Sequence, residues 1–165
     1  MKYRRLTNEE LKQLEPDFVR FLASQSIPAT DWEVMKARGD SKVGELLGAF
    51  SDLIFERVLS NVKYLEKRTK HEWHIYKVMD ERMKLNGLRL SGNEEIDFRQ
   101  STDLDLKSLY LEYGGNLTLF TAEKSFQKEK NLEVFDLLEE GCLIQKNGEF
   151  FELLERIKTT PDQQD

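Results

Sequence analysis

The chain carries two histidines, His71 and His74, and one cysteine, Cys142. Metal binding or nucleophilic catalysis would start from these side chains. Imidazoles three residues apart share a face on a helix but point to opposite faces of a strand. The region around them reads as strand, so a metal site would need carboxylates from elsewhere. Asp52 and Glu56, four residues apart on a helical pattern, are the nearest such pair. No recognised ligand spacing links them to the histidines, and neither a metal nor a cofactor is expected. Cys142 sits in the apolar run Gly-Cys-Leu-Ile without a basic neighbour. It reads as a buried, unreactive thiol. The acidic pairs Glu9-Glu10, Glu94-Glu95 and Glu139-Glu140 are adjacent in sequence, so on a helix their side chains do not face each other. They do not read as a paired general acid and base. Gly114-Gly115 follows a helical pattern instead of a strand, and no phosphate-binding loop or dinucleotide fingerprint is present.

A more suggestive constellation is an aromatic and basic stretch. Tyr64, Lys67, Arg68, His71, Trp73, His74 and Tyr76 form a candidate interaction surface, with Lys63, Lys70 and Lys77 interleaved. Aromatic rings and cations on a sheet are the means by which several domains bind single-stranded nucleic acid. Two considerations weigh against that use. One sheet face has to be buried, and aromatic side chains are its natural core. The rest of the chain is acidic and opposes a polyanion. A protein partner is therefore expected over nucleic acid. A pocket near His71, His74 and Tyr76, serving a small ligand or an enzyme activity, is the competing reading.

The elements that carry these residues follow from a change of period. Val43, Leu46, Leu47, Phe50, Ile54 and Val58 repeat as a helix, and three short extended runs follow at 62–68, 72–79 and 82–90. With Leu53, Phe55 and Leu59 added, the helix is apolar almost all round, leaving a narrow polar stripe of Glu45, Asp52 and Glu56. Such a helix is expected at the centre of a core, with the strands as its lid. Upstream, Thr7 and Glu10 form a capping box, and Pro16 should either kink the helix that follows or divide it into two. Thr30 and Glu33 suggest a second capping box, and Gly39 a helix stop. In the third extended run the apolar phase shifts at Asn86-Gly87, which suggests a bulge.

Downstream, a helix is expected from Thr102 and Asp105 to Tyr113, a short strand over 116–120 and a helical turn capped by Thr121. A further helix is capped by Asn131 and stops at Gly141. Residues 142–153 read as an Asn-Gly hairpin, yet Phe150, Leu153, Leu154 and Ile157 make a helical stripe, and the helix is preferred. The polar segment 159–165 is expected to be disordered.

The chain has 165 residues and a net charge of −6. Residues 131–165 hold nine acids against three bases, while 61–91 hold eight bases against four acids. The two regions can attract each other within one molecule, a reading at least as well supported as two separate partner-binding surfaces. The start, MKYRRLTNEEL, lacks the apolar run of a secretory signal, and no segment is long and apolar enough to span a bilayer. With a single cysteine, this composition points to the cytoplasm.

The run Tyr3-Arg4-Arg5-Leu6-Thr7-Asn8-Glu9-Glu10-Leu11, the block from Asp17 to Leu22, Asp31-Trp32 and the pair Phe50-Ser51-Asp52 and Val62-Lys63-Tyr64-Leu65-Glu66-Lys67-Arg68 are the distinctive segments. They resemble a family of small bacterial cytosolic proteins recorded only as a domain of unknown function. The resemblance implies no activity and no site residue. The expected object is a single α+β domain over 1–158. In it, N-terminal helices pack on a three-stranded antiparallel β-meander and the C-terminal half is helical. The expected role is that of a non-catalytic interaction or accessory protein.

Overall fold

The computed structural model describes residues 1–92, 95–100 and 106–159. Contacts divide the chain into two compact units, Met1–Asn61 and Val62–Asp165.

The first unit is helical. Thr7 and Glu10 form the expected capping box on α1 (Asn8–Gln13). Pro16 occupies the first turn of α2 (Glu15–Ser24), where its missing N–H costs nothing, so the pattern divides as expected. α3 (Ala29–Arg38) starts after Pro28 with no side-chain cap, so the expected Thr30–Glu33 box does not form: both residues already lie inside the helix. Gly39 closes it at a φ of 65°, and Asp40 caps α4 (Ser41–Ser60) by accepting from the Lys42 N–H. Phe18 packs edge-on against Trp32 and Phe50, and Phe21 also meets Phe50.

The polar stripe of α4 is filled by the N-terminal segment. Asp52 accepts from the backbone N–H groups of Lys2 and Tyr3 at 2.8 and 2.9 Å. Glu56 accepts from Tyr3 Oη at 2.6 Å, and Ser51 Oγ accepts from the Leu6 N–H at 3.0 Å. α4 is expected to be covered on most sides; Leu53 and Val58 of its apolar surface are exposed.

The second unit is built on a five-stranded antiparallel sheet, not a three-stranded one. β1 (Tyr64–Arg68), β2 (Glu72–Val78) and β3 (Arg82–Leu90) form the expected meander. β4 (Leu117–Ser125) adds beside β3 and β5 (Leu143–Gln145) beside β1, giving the order β4-β3-β2-β1-β5. The C-terminal half therefore supplies strands as well as helices. Those helices are α5 (Leu106–Tyr113), α6 (Lys130–Glu139) and α7 (Glu149–Thr159).

Several local expectations are corrected here. The strand expected over 116–120 runs to Ser125, so Thr121 caps no helix; its hydroxyl donates to the Leu85 carbonyl across the sheet. Asn131 is buried inside the first turn of α6, whose N-cap is Glu129. No bulge forms at Asn86-Gly87, because both residues stay in register with β2 and β4. The apolar phase shifts there because Met83 is buried on one face of the sheet and Leu88 and Leu90 on the other. The region expected as either helix or hairpin arm is helix α7. The expected cap at Thr102 and Asp105, Glu94 and the tail beyond Thr159 lie outside the described residues.

One sheet face makes a core of Trp73, Ile75, Leu88 and Leu90 with Phe98, Leu109 on α5, and Phe151 and Leu154 on α7. α7 is also tied down by charge. Lys77 donates to Glu152 at 2.6 Å and Lys84 to Glu155 at 2.7 Å, joining the basic meander to the acidic C-terminal helix.

Candidate functional site

Alternation along β1 and β2 distributes the aromatic and basic residues over both faces of the sheet. The register pairs Tyr64 with Lys77 and Arg68 with Trp73 on the α7 side. It pairs Lys67 with His74, and Leu65 with Tyr76, on the other. His71 lies in the turn between the two strands. Tyr64, Arg68 and Trp73 are thus separated from Lys67, His74 and Tyr76 by the thickness of the sheet, and no single stacking platform contains them all.

On the α7 side, the rings are packed against one another. Trp73 is buried and stacks on Phe150 with ring centroids 4.2 Å apart, while the Arg68 guanidinium covers its ring at 4.1 Å. The indole N–H donates to Glu66 at 3.1 Å. Tyr64 Oη donates to Glu152 at 3.3 Å, and its ring lies so close to Gly148 that a Cβ there would overlap it.

The opposite face holds a polar chain. Arg89 Nε donates to Glu72 at 2.6 Å, and the second oxygen of Glu72 lies 2.8 Å from His74 Nε2. His74 Nδ1 lies 3.4 Å from Tyr76 Oη. Phe120 packs edge-on against His74. The Arg89 hydrogen bond holds Glu72 below its ordinary value, whereas burial pushes the Tyr76 phenol up to about 12. A phenol held this high stays protonated, so it is a donor and not an activated nucleophile. The cavity beside it, lined by Met83, Leu85 and Ala122 among others, has a volume of about 150 Å³. Small-molecule pockets usually begin at roughly 300 Å³.

Burial also raises the Cys142 thiol, which keeps it from the thiolate form. Asp52 and Glu56 are engaged by the N-terminal segment. Among the described residues, no group of three or more His, Cys, Asp or Glu side chains is arranged to hold a metal. Among them, too, no helix is long and apolar enough to cross a membrane.

A largely apolar concavity of the second unit lies elsewhere. A groove of about 500 Å³ has Leu88, Leu117 and Leu119 of the sheet for its floor. Lys107 and Tyr110 of α5 form one wall, and Leu153, Leu154 and Ile157 of α7 the other. Tyr110 is 68% exposed and Ile157 46% exposed, although both are large and face this groove. The sequence shows the α7 stripe and a strand over 116–120 that holds Leu117 and Leu119; it does not show that this strand lies beside β3, with Leu119 opposite Leu88.

A family model described as a family of unknown function (DUF6495) matches residues 1–159. No curated protein and no solved structure matches the chain.

Proposed function

The chain belongs to this family of unknown function, and from that premise we propose that it is a non-catalytic interaction protein of the cytoplasm. Its groove between α5 and α7 receives apolar side chains of a partner protein. The observation that carries this reading is the groove itself. Its lining is apolar apart from Lys107 and the Tyr110 hydroxyl, and the rim residues Tyr110 and Ile157 are left in water. Exposed apolar residues at the rim of a groove of this kind mark a binding site. Tyrosine at the rim offers a large contact area at low entropic cost.

The polar chain on the other face supports the non-catalytic side of the proposal. Its histidine is engaged by Glu72 and faces a phenol, beside a cavity too small for most substrates. A second reading, a small apolar ligand in the same groove, is favoured by its volume, which falls within the usual range for such pockets.

The test places a photo-crosslinking phenylalanine analogue at Tyr110 in living cells, with the same analogue at exposed Val19 of the first unit as control. A discrete protein adduct at Tyr110 and none at Val19 is the expected result. Equal labelling at both positions, or none at Tyr110, overturns the proposal. A mass increment on the native protein that is lost on denaturation would identify a small ligand instead.

A further inference from the structure

The chain contains two Asn-Gly dipeptides, Asn86-Gly87 and Asn147-Gly148. Asparagine before glycine is open to one intramolecular reaction, because an unbranched following residue lets its backbone nitrogen reach the side-chain amide carbon. The two dipeptides stand in opposite environments. Asn86 is fully buried in β3, and its side-chain amide donates to Glu155 at 2.7 Å and to the Phe151 carbonyl at 3.4 Å. Its oxygen accepts from Thr121 at 3.3 Å and also from Lys158. Gly87 is held in the ladder between β2 and β4, so extended backbone keeps its nitrogen away from the Asn86 side chain.

Asn147 is exposed in the turn between β5 and α7. Among the described residues its side-chain amide has no protein partner. The outer end of the Tyr64 ring occupies the space a Cβ at position 148 would need, so a side chain there would have to displace it. Gly148 makes Asn147 reactive.

We propose that Asn147 is a site of spontaneous deamidation in the folded protein and that Asn86, with the same sequence context, is protected. The Gly148 nitrogen attacks Asn147 Cγ and forms a new C–N bond. The bond from Cγ to Nδ2 breaks, and ammonia leaves with the proton from the Gly148 N–H. Water then opens the cyclic imide at either carbonyl, giving aspartate or isoaspartate at position 147. The product carries one more negative charge at the foot of α7, beside Glu149. The isoaspartyl form also adds one methylene to the main chain of the turn that leads into α7.

The full chain is incubated in mildly alkaline buffer, and the two peptides are followed by mass spectrometry for a gain of one mass unit. In the folded protein Asn147 converts roughly tenfold or more faster than Asn86, because Asn86 reacts only through a local opening of the sheet. In denaturant the two rates converge. The variant Asn147→Gln loses the conversion at 147 and leaves Asn86 unchanged. Folded-state conversion of Asn86 at the rate of Asn147, or an Asn147 as inert as Asn86, overturns the proposal.

Discussion

The Glu155 carboxylate on α7 accepts a hydrogen bond of 2.7 Å from the side-chain amide of Asn86, which is fully buried in the sheet beneath it. Lys84 donates to the other carboxylate oxygen, and Lys158 donates to both Asn86 and Glu155. An apolar contact alone would let α7 slide or rotate on the sheet; a satisfied polar cluster fixes one register. Replacing Asn86 by leucine leaves Glu155 and Lys158 each short of a partner. We expect Asn86→Leu to cost about 1 kcal/mol in denaturant unfolding, the usual net value of a lost hydrogen bond, because Glu155 and Lys158 are partly exposed and keep each other as partners. An unchanged midpoint would show that the cluster does not hold α7.

Acid should loosen the same helix. The Lys84 hydrogen bond holds the Glu155 carboxyl at about 2, against an ordinary value of 4.5, and the Lys77 hydrogen bond lowers Glu152 in the same direction. With folded values depressed, the unfolded chain takes up protons first as the pH falls. Their contribution is complete above 4.5 and is lost progressively down to about 2. Thermal melts across that window should show a falling midpoint. The variant Glu155→Gln should show a shallower fall, and a slope equal to that of the parent would count against this assignment.

The Phe120 ring on β4 lies over Gly87, its partner in the ladder, where a Cβ would stand. Gly87→Ala pushes that ring off His74 and should cost about 1–3 kcal/mol, as overpacking does. In a Phe120→Leu background, the same change should cost much less, so the two substitutions are non-additive. Additive losses in this double-mutant cycle would contradict the contact.

In the first unit, Ser51 accepts from the Leu6 N–H at 3.0 Å and donates to the Leu47 carbonyl at 2.7 Å. Ser51→Ala strands the Leu6 donor, and we expect a loss of about 1–2 kcal/mol. Amide hydrogen exchange should report faster exchange at Leu6. Protection equal to the parent there would show that the segment is held by other contacts.

The helical elements and the meander were legible in the sequence because their signals are local. The Thr7–Glu10 capping box, the Gly39 stop and the strand at 82–90 all appear where their residues placed them. What escaped depends on contacts distant in sequence. β5 is three residues long and exists through pairing with β1, and the outer half of β4 is polar and exposed. Neither has a strong period of its own. The apolar phase change at Asn86 looked like a bulge because a sequence cannot show that both sheet faces are buried. The candidate surface on β1 and β2 was legible as composition only. Strand alternation sends Trp73 and His74 to opposite faces, and the cover over Trp73 comes from Phe150, far along the chain. The groove needed the pairing that sets Leu119 of β4 opposite Leu88 of β3, together with the helical form of α7.

The central claim is that this groove holds a partner protein. The most direct measurement is quantitative affinity purification of the native protein beside the variant Ile157→Lys, which places a charge on the exposed rim of the groove. Matched melting temperatures establish that the variant is folded. The account predicts a partner enriched with the parent chain and lost with Ile157→Lys, but retained by Val19→Lys in the first unit. Equal recovery of every protein with parent and Ile157→Lys would contradict it.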